Sequence, residues 1–154
     1  VLTPYDDRGD FLAQAHEVTR AIVAEFDELP DESWVGLLRT FPENGCESAS
    51  WVVGSILAEL GFGDWVMVGR SDPAGSGRHV WLEQRDAAGG VRYTVDASIH
   101  QFDGFTELQT GRGALAAHAR WPGREWETPI RTSARRYAHP VYAGPLAWTR
   151  ERLL

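Results

Sequence analysis

A chain of 154 residues with 43% hydrophobic, 24% charged and 11% aromatic residues has the size and composition of one folded water-soluble unit, and residues 1–154 are read as a single domain. Fifteen basic residues against twenty-two acidic ones leave a formal net charge of −7, which opposes binding to phosphate backbones or anionic lipid, so neither nucleic acid nor a membrane is an expected partner. Every basic residue is arginine, which excludes a Schiff-base or P-loop lysine.

The apolar runs all fall short of the ~18 residues that span a bilayer. Val1–Asp10 carries acidic residues where a secretory signal would be basic, and the expected compartment is the cytoplasm. A single cysteine rules out an internal disulfide and argues against a zinc cage. His16, His118 and His139 are scattered without the spacing of a metal site, so neither a metal nor another cofactor is expected.

From Phe11 to Leu29 apolar residues recur every three or four positions, which predicts an amphipathic helix capped by Asp10 and stopped by Pro30. Asp31–Arg39 predicts a second, short helix, followed by the turn-rich Pro42-Glu43-Asn44-Gly45. Beyond it Ala49, Val52, Val53, Ile56, Leu57 and Leu60 keep helical spacing up to Gly61, so Cys46 opens a buried helix. The period then changes: Trp65–Val68, His79–Gln84 and Val91–Val95 read as strands, with a loop over Gly69–Arg78 and a hairpin turn over Ala87–Gly90. Helices followed by a meander predict an α+β fold, the N-terminal helices packed on an antiparallel sheet. Arg112–Arg120 reads as helical, and the Trp- and Pro-rich segment from Trp121 to Trp148 as core filling or an extra strand.

A cysteine at a helix N-terminus meets unpaired backbone N–H groups and the positive end of the macrodipole, which favour a thiolate and would also serve a developing oxyanion. The alternation in the second strand puts His79, Trp81 and Glu83 on one face; if that face meets the start of the Cys46 helix, the imidazole reaches the thiol. In the third strand Arg92, Thr94 and Asp96 share a face, so the hairpin would bring the Asp96 carboxylate to the second ring nitrogen of His79. The candidate catalytic residues are therefore Cys46, His79 and Asp96. Trp81, Asn44 and Trp51 are candidates for substrate contact, Asn44 also for capping the helix. Glu83 is read as solvated, and His100 and Gln101 as polar neighbours of Asp96.

The segments Asn44-Gly45-Cys46-Glu47-Ser48-Ala49-Ser50, His79-Val80-Trp81-Leu82-Glu83 and Tyr93-Thr94-Val95-Asp96-Ala97-Ser98 resemble, in that order, the three blocks of the transglutaminase-like and papain-like cysteine enzymes. The likeness covers about Pro42 to Phe102. It implies a papain/transglutaminase-like core, a nucleophile helix on a sheet carrying His and Asp, and reaction through an acyl-thioester formed from an amide. The glutamine that papain-like peptidases carry shortly before the cysteine has no counterpart here, where Thr40 and Phe41 stand. The second oxyanion donor is thus unassigned, with Asn44, Trp51 and a tyrosine of the final segment as candidates.

Three functions follow as expectations. The first is hydrolysis of an amide in a peptide, protein or small molecule, as by a peptidase or a glutamine deamidase. The second is transfer of the acyl group to an amine, as by a transglutaminase-type or aminoacyl-transferring biosynthetic enzyme. The third is a non-catalytic binding module on the same fold with Cys46 inert.

Overall fold

The computed structural model of the chain describes residues 1–75 and 77–154. Helix α1 (Phe11–Glu25) starts where the sequence places it: Asp10 keeps an extended backbone and its carboxylate accepts the Ala13 N–H at 2.7 Å. The last part of the expected helix instead tightens into a 3-10 turn over Phe26–Glu28, which seats Phe26 in the core against Phe41 with ring centroids 5.0 Å apart. The expected second helix is also different. Ser33–Thr40 forms 3-10 turns broken at Gly36, whose φ is 58°; Val141 Cβ lies 2.9 Å from where a side chain would begin there.

Helix α2 (Cys46–Glu59) is buried along nearly its whole length, which its apolar spacing anticipates. It closes at Gly61, at φ 87°, with the Phe62 N–H bonded to the Leu57 carbonyl at 2.9 Å.

Five antiparallel strands follow: β1 (Val66–Asp72), β2 (Gly77–Arg85), β3 (Val91–Asp96), β4 (Gln109–Arg112) and β5 (Gly123–Pro129), in the sheet order β4-β3-β2-β1-β5. Both ends of the loop predicted over Gly69–Arg78 are taken up by β1 and β2, and Ser76 lies outside the described residues. The predicted hairpin closes with the Asp86 N–H on the Gly90 carbonyl at 2.8 Å and the Asp86 carboxylate on the N–H groups of Ala88 and Gly90.

The last third of the chain corrects the sequence reading. Arg112 ends strand β4, and only Ala116–Arg120 turns, as a 3-10 segment. The Trp- and Pro-rich segment supplies edge strand β5 and then helix α3 (Pro140–Leu153), which starts at Pro140 and carries Pro145 inside it.

The sheet has two unlike faces. Val80, Leu82, Tyr93 and Val95 share one core with Val52, Val53 and Ile56 of α2. On the opposite face Val68 and Trp81 pack with Trp121, flanked by Phe102. His79, Thr94 and Asp96 belong to this second face by strand alternation. The fold is α+β, with the helices on one side of an antiparallel sheet and a chain of turns on the other.

Gly54 sets how closely α2 rests on the sheet: a Cβ there would stand 2.9 Å from Ile130 Cδ1 and from Leu82 Cδ2. Gly54→Val is expected to destabilise the chain by about 1–3 kcal/mol through overpacking, read as a lower Tm. An unchanged or raised Tm would show that the helix and sheet do not touch as described.

Candidate functional site

The β2–β3 ladder runs from Arg85 and Val91 to the pair Leu82–Val95, so it stops short of His79. At that end of the sheet His79 Nε2 lies 2.7 Å from Asp96 Oδ2, the contact that the shared face of the hairpin predicts. Both side chains are fully removed from solvent. A second imidazole, absent from the sequence reading of this site, meets the same oxygen: His118 Nε2 lies 2.6 Å from Asp96 Oδ2. The remaining carboxylate oxygen, Oδ1, accepts the backbone N–H of Ser98 at 3.2 Å.

The charges follow from this packing. Burial alone would drive the Asp96 carboxyl up, but His79 and His118 outweigh it and hold the pKa down at about 2. An ionised carboxylate only accepts, so each imidazole presents Nε2–H to it and keeps Nδ1 free of that bond. Burial would likewise push His79 down. Asp96, with a smaller contribution from Cys46, lifts it instead to about 9. His79 Nδ1 is buried without a hydrogen bond of good geometry, and the neighbouring group that acts on the ring besides the carboxylate is the Cys46 thiol.

Cys46 is half-buried at the first position of α2, behind Gly45, where no side chain caps the helix. The N–H groups of the first turn are therefore open to another acceptor. The helix body packs on the Leu82 face, opposite to the face of His79, so helix and imidazole do not share a face as expected; the thiol at the first position of the helix nonetheless acts on the His79 ring.

The imidazoles sit in an aromatic surround. His79 touches Trp121 and Phe102 with ring centroids 4.7 and 4.9 Å away, and His118 stacks on Trp81 at 3.7 Å with planes 19° apart. Trp81 is thus buried beneath His118, although its edge also lines a cavity of about 560 Å³ with Arg70, Glu83, His118 and Leu115. Glu83 is not solvated: it is buried, accepts the Trp81 Nε1–H at 3.0 Å and pairs with Arg85.

Of the other candidates, Asn44 is exposed at φ 58° and does not cap α2, whose N-cap is Gly45. Its backbone N–H bonds to Gln101 Oε1 at 3.4 Å, which leaves Gln101 Nε2 buried and unpartnered near the mouth of the helix. Trp51 is buried and stacked on Tyr137 at 4.6 Å, while the Tyr137 hydroxyl donates to Glu47 at 2.7 Å. Burial and then that carboxylate push the Tyr137 phenol well above its ordinary range, so this tyrosine is already committed.

Among the described residues, His79, Asp96 and His118 form the group whose ligand atoms converge, all within 4.8 Å. Separations of 2.6 and 2.7 Å from each imidazole to the one carboxylate oxygen are those of charge-assisted hydrogen bonds. Donors around a tetrahedral ion at about 2.0–2.1 Å stand roughly 3.3 Å apart. The group is a hydrogen-bonded His–Asp–His cluster.

No family model matches the chain, and no curated protein or solved structure is found to be similar to it. No helix among the described residues is long and apolar enough to cross a membrane.

The two shifts make stability depend on pH in opposite senses. His79 is raised, so its stabilising contribution is complete below about pH 6.5 and is withdrawn as pH climbs to about 9. Asp96 is lowered, so its contribution is complete above about pH 3.8 and is withdrawn as pH falls towards about 2. Urea unfolding followed from neutral to alkaline pH is expected to show stability declining across the upper window in the wild type and not in Asp96→Asn. Parallel declines in both proteins would refute the coupling.

Proposed function

We propose that the chain is a cysteine-dependent enzyme that acts on an amide through an acyl-thioester on Cys46, with His79 as its proton carrier and Asp96 as the group that orients it. One observation carries this reading. A buried imidazole is gripped at Nε2 by an ionised carboxylate, its Nδ1 takes no hydrogen bond, and the Cys46 thiol, which opens an uncapped helix, acts on the same ring. The order Cys46, His79, Asp96 along a helix and two strands, and the resemblance of those segments to the transglutaminase-like and papain-like core, support it further.

In this reading the reactive state is the ion pair of Cys46 thiolate and His79 imidazolium, the proton having moved from Sγ to Nδ1. Sγ adds to the amide carbonyl carbon. The carbonyl oxygen, now negative, takes hydrogen bonds from the first-turn N–H groups of α2, with Gln101 Nε2, whose amide oxygen is bonded to Asn44, as an unspent side-chain donor. As the C–N bond breaks, Nδ1 passes its proton to the leaving amine and the thioester remains. Water then attacks the thioester, His79 accepting its proton, and releases a carboxylic acid and the free thiol. An amine in place of water would give transfer. The substrate class is an amide of a peptide, a protein or a small molecule.

Iodoacetamide at neutral pH is expected to alkylate Cys46 roughly tenfold or more faster than free cysteine, and His79→Ala to reduce that rate to the free-thiol value while the fold persists by circular dichroism. A wild-type rate equal to free cysteine would leave the inert binding module as the correct reading. With a glutamine-containing peptide as the amide, a mass gain of about one dalton marks hydrolysis of the side chain, and incorporation of an added primary amine marks transfer. Cys46→Ala abolishes both.

A further inference from the structure

We infer that His118 is a positioning residue for the thiol chemistry: it fixes Asp96, and through Asp96 the ring of His79. The inference rests on the catalytic reading above and adds to it a second imidazole that a Cys–His–Asp triad does not require.

His118 is held from three directions. Its Nε2 lies 2.6 Å from Asp96 Oδ2. Its ring lies flat on Trp81 at 3.7 Å, and Trp81 is itself pinned by the bond from its Nε1 to Glu83. Its backbone N–H closes the 3-10 turn on the Leu115 carbonyl at 3.0 Å. The ring therefore has little freedom, and the carboxylate oxygen it contacts is the one that binds His79.

The Cβ–Cγ torsion of an aspartate lies in a broad well, so the plane of its carboxylate is set by how many donors hold its oxygens and from which directions. One oxygen is tied here by the Ser98 N–H at 3.2 Å, a long bond, and the other by His79 alone if His118 is removed. Two N–H donors converging on Oδ2 from different elements, β2 and the turn Ala116–Arg120, fix the plane of the carboxylate, and that plane sets the direction in which His79 Nδ1 points.

The titratable and charged groups around the cluster are few. Cys46 faces it from α2, and His100 acts on Asp96 from the turn after β3. Arg120 lies over Phe102 and Trp121, and Arg70 over Trp81. Burial lowers the His100 imidazole, with Asp96 opposing.

The test is the pH dependence of Cys46 alkylation by iodoacetamide in the whole chain. Wild type is expected to give a plateau of fast alkylation across neutral pH. His118→Phe keeps a ring on Trp81 but has no donor, and is expected to lose the plateau and react roughly tenfold slower at neutral pH. His118→Gln places an amide N–H near the position of Nε2 and is expected to keep the plateau within about threefold of wild type. His118→Asn is too short to reach Asp96 and is expected to behave like the phenylalanine variant, so the comparison of Gln with Asn stands even if the phenylalanine variant does not fold.

Equal profiles for Gln and Asn would overturn the inference while leaving the triad intact, provided the wild type shows the plateau. So would a wild-type plateau in His118→Phe. A wild-type profile that follows free cysteine overturns both this inference and the catalytic reading.

Discussion

A fully buried carboxylate is the constraint around which this molecule is arranged. Removing a charge from water costs several kcal/mol unless bonded partners replace the lost hydration. For Asp96 the partners are two imidazoles on one oxygen and a backbone amide on the other. They come from three different places: the start of β2, the turn after β4, and the chain immediately beyond β3. Bringing them together requires β2, β3 and β4 to pair and the turn after β4 to fold back over them. The anion at the centre is thus satisfied only in the finished fold.

The same requirement explains why the sheet has unlike faces. The face toward α2 is aliphatic, with Val80, Leu82 and Val95 beneath a helix close enough for Gly54 to have no room for a methyl group. Such a surface can bury area but cannot solvate a charge. The opposite face carries His79, Thr94 and Asp96 in an aromatic frame of Trp81, Phe102 and Trp121, whose flat rings exclude water and still leave planar gaps for imidazoles. Glu83, the other buried acid of that face, is matched by the same means, an indole N–H and an arginine. The polar face is kept dry without being left unsatisfied.

What the sequence reveals of this follows from which contacts are local. Asp10 as a cap, Gly61 as a helix end, the hairpin at Ala87–Gly90 and the shared face of His79 and Asp96 all rest on neighbours in the chain or on strand alternation, and they are legible. The failures have tertiary causes. Strand β4 is four residues long with Gly111 inside it, too short to show a period. Helix α3 begins on one proline, contains another and has Gly144 packed against Trp34, so it is held by its neighbours more than by any apolar stripe. His118 reaches Asp96 across 22 residues from a 3-10 turn, where neither helical nor strand spacing gives a side chain a predictable direction. Glu83 looks solvated because its partner Trp81, two positions away on the same strand face, reads as an apolar residue rather than as a donor.

The cysteine occupies the place where these two architectures meet. Its helix is anchored far from the sulfur, by Gly54 against Leu82 and Ile130 and by Trp51 stacked on Tyr137, whose hydroxyl in turn holds Glu47 beside the cysteine. The imidazole is anchored on the far side of the sheet by a carboxylate that cannot move without exposing its charge. Neither anchor depends on the thiol, and the thiol itself is only half-buried. The ladder between β2 and β3 ends before His79, so β3 does not pair with the strand at the level of the imidazole. Helix and imidazole thus have independent reasons to stay in place, and of the two side chains the thiol is the one that reaches solvent. Around the thiol the structure leaves an uncapped helix, a His79 Nδ1 and a Gln101 Nε2 without hydrogen bonds, because each of these groups is held in place by contacts made through its other atoms.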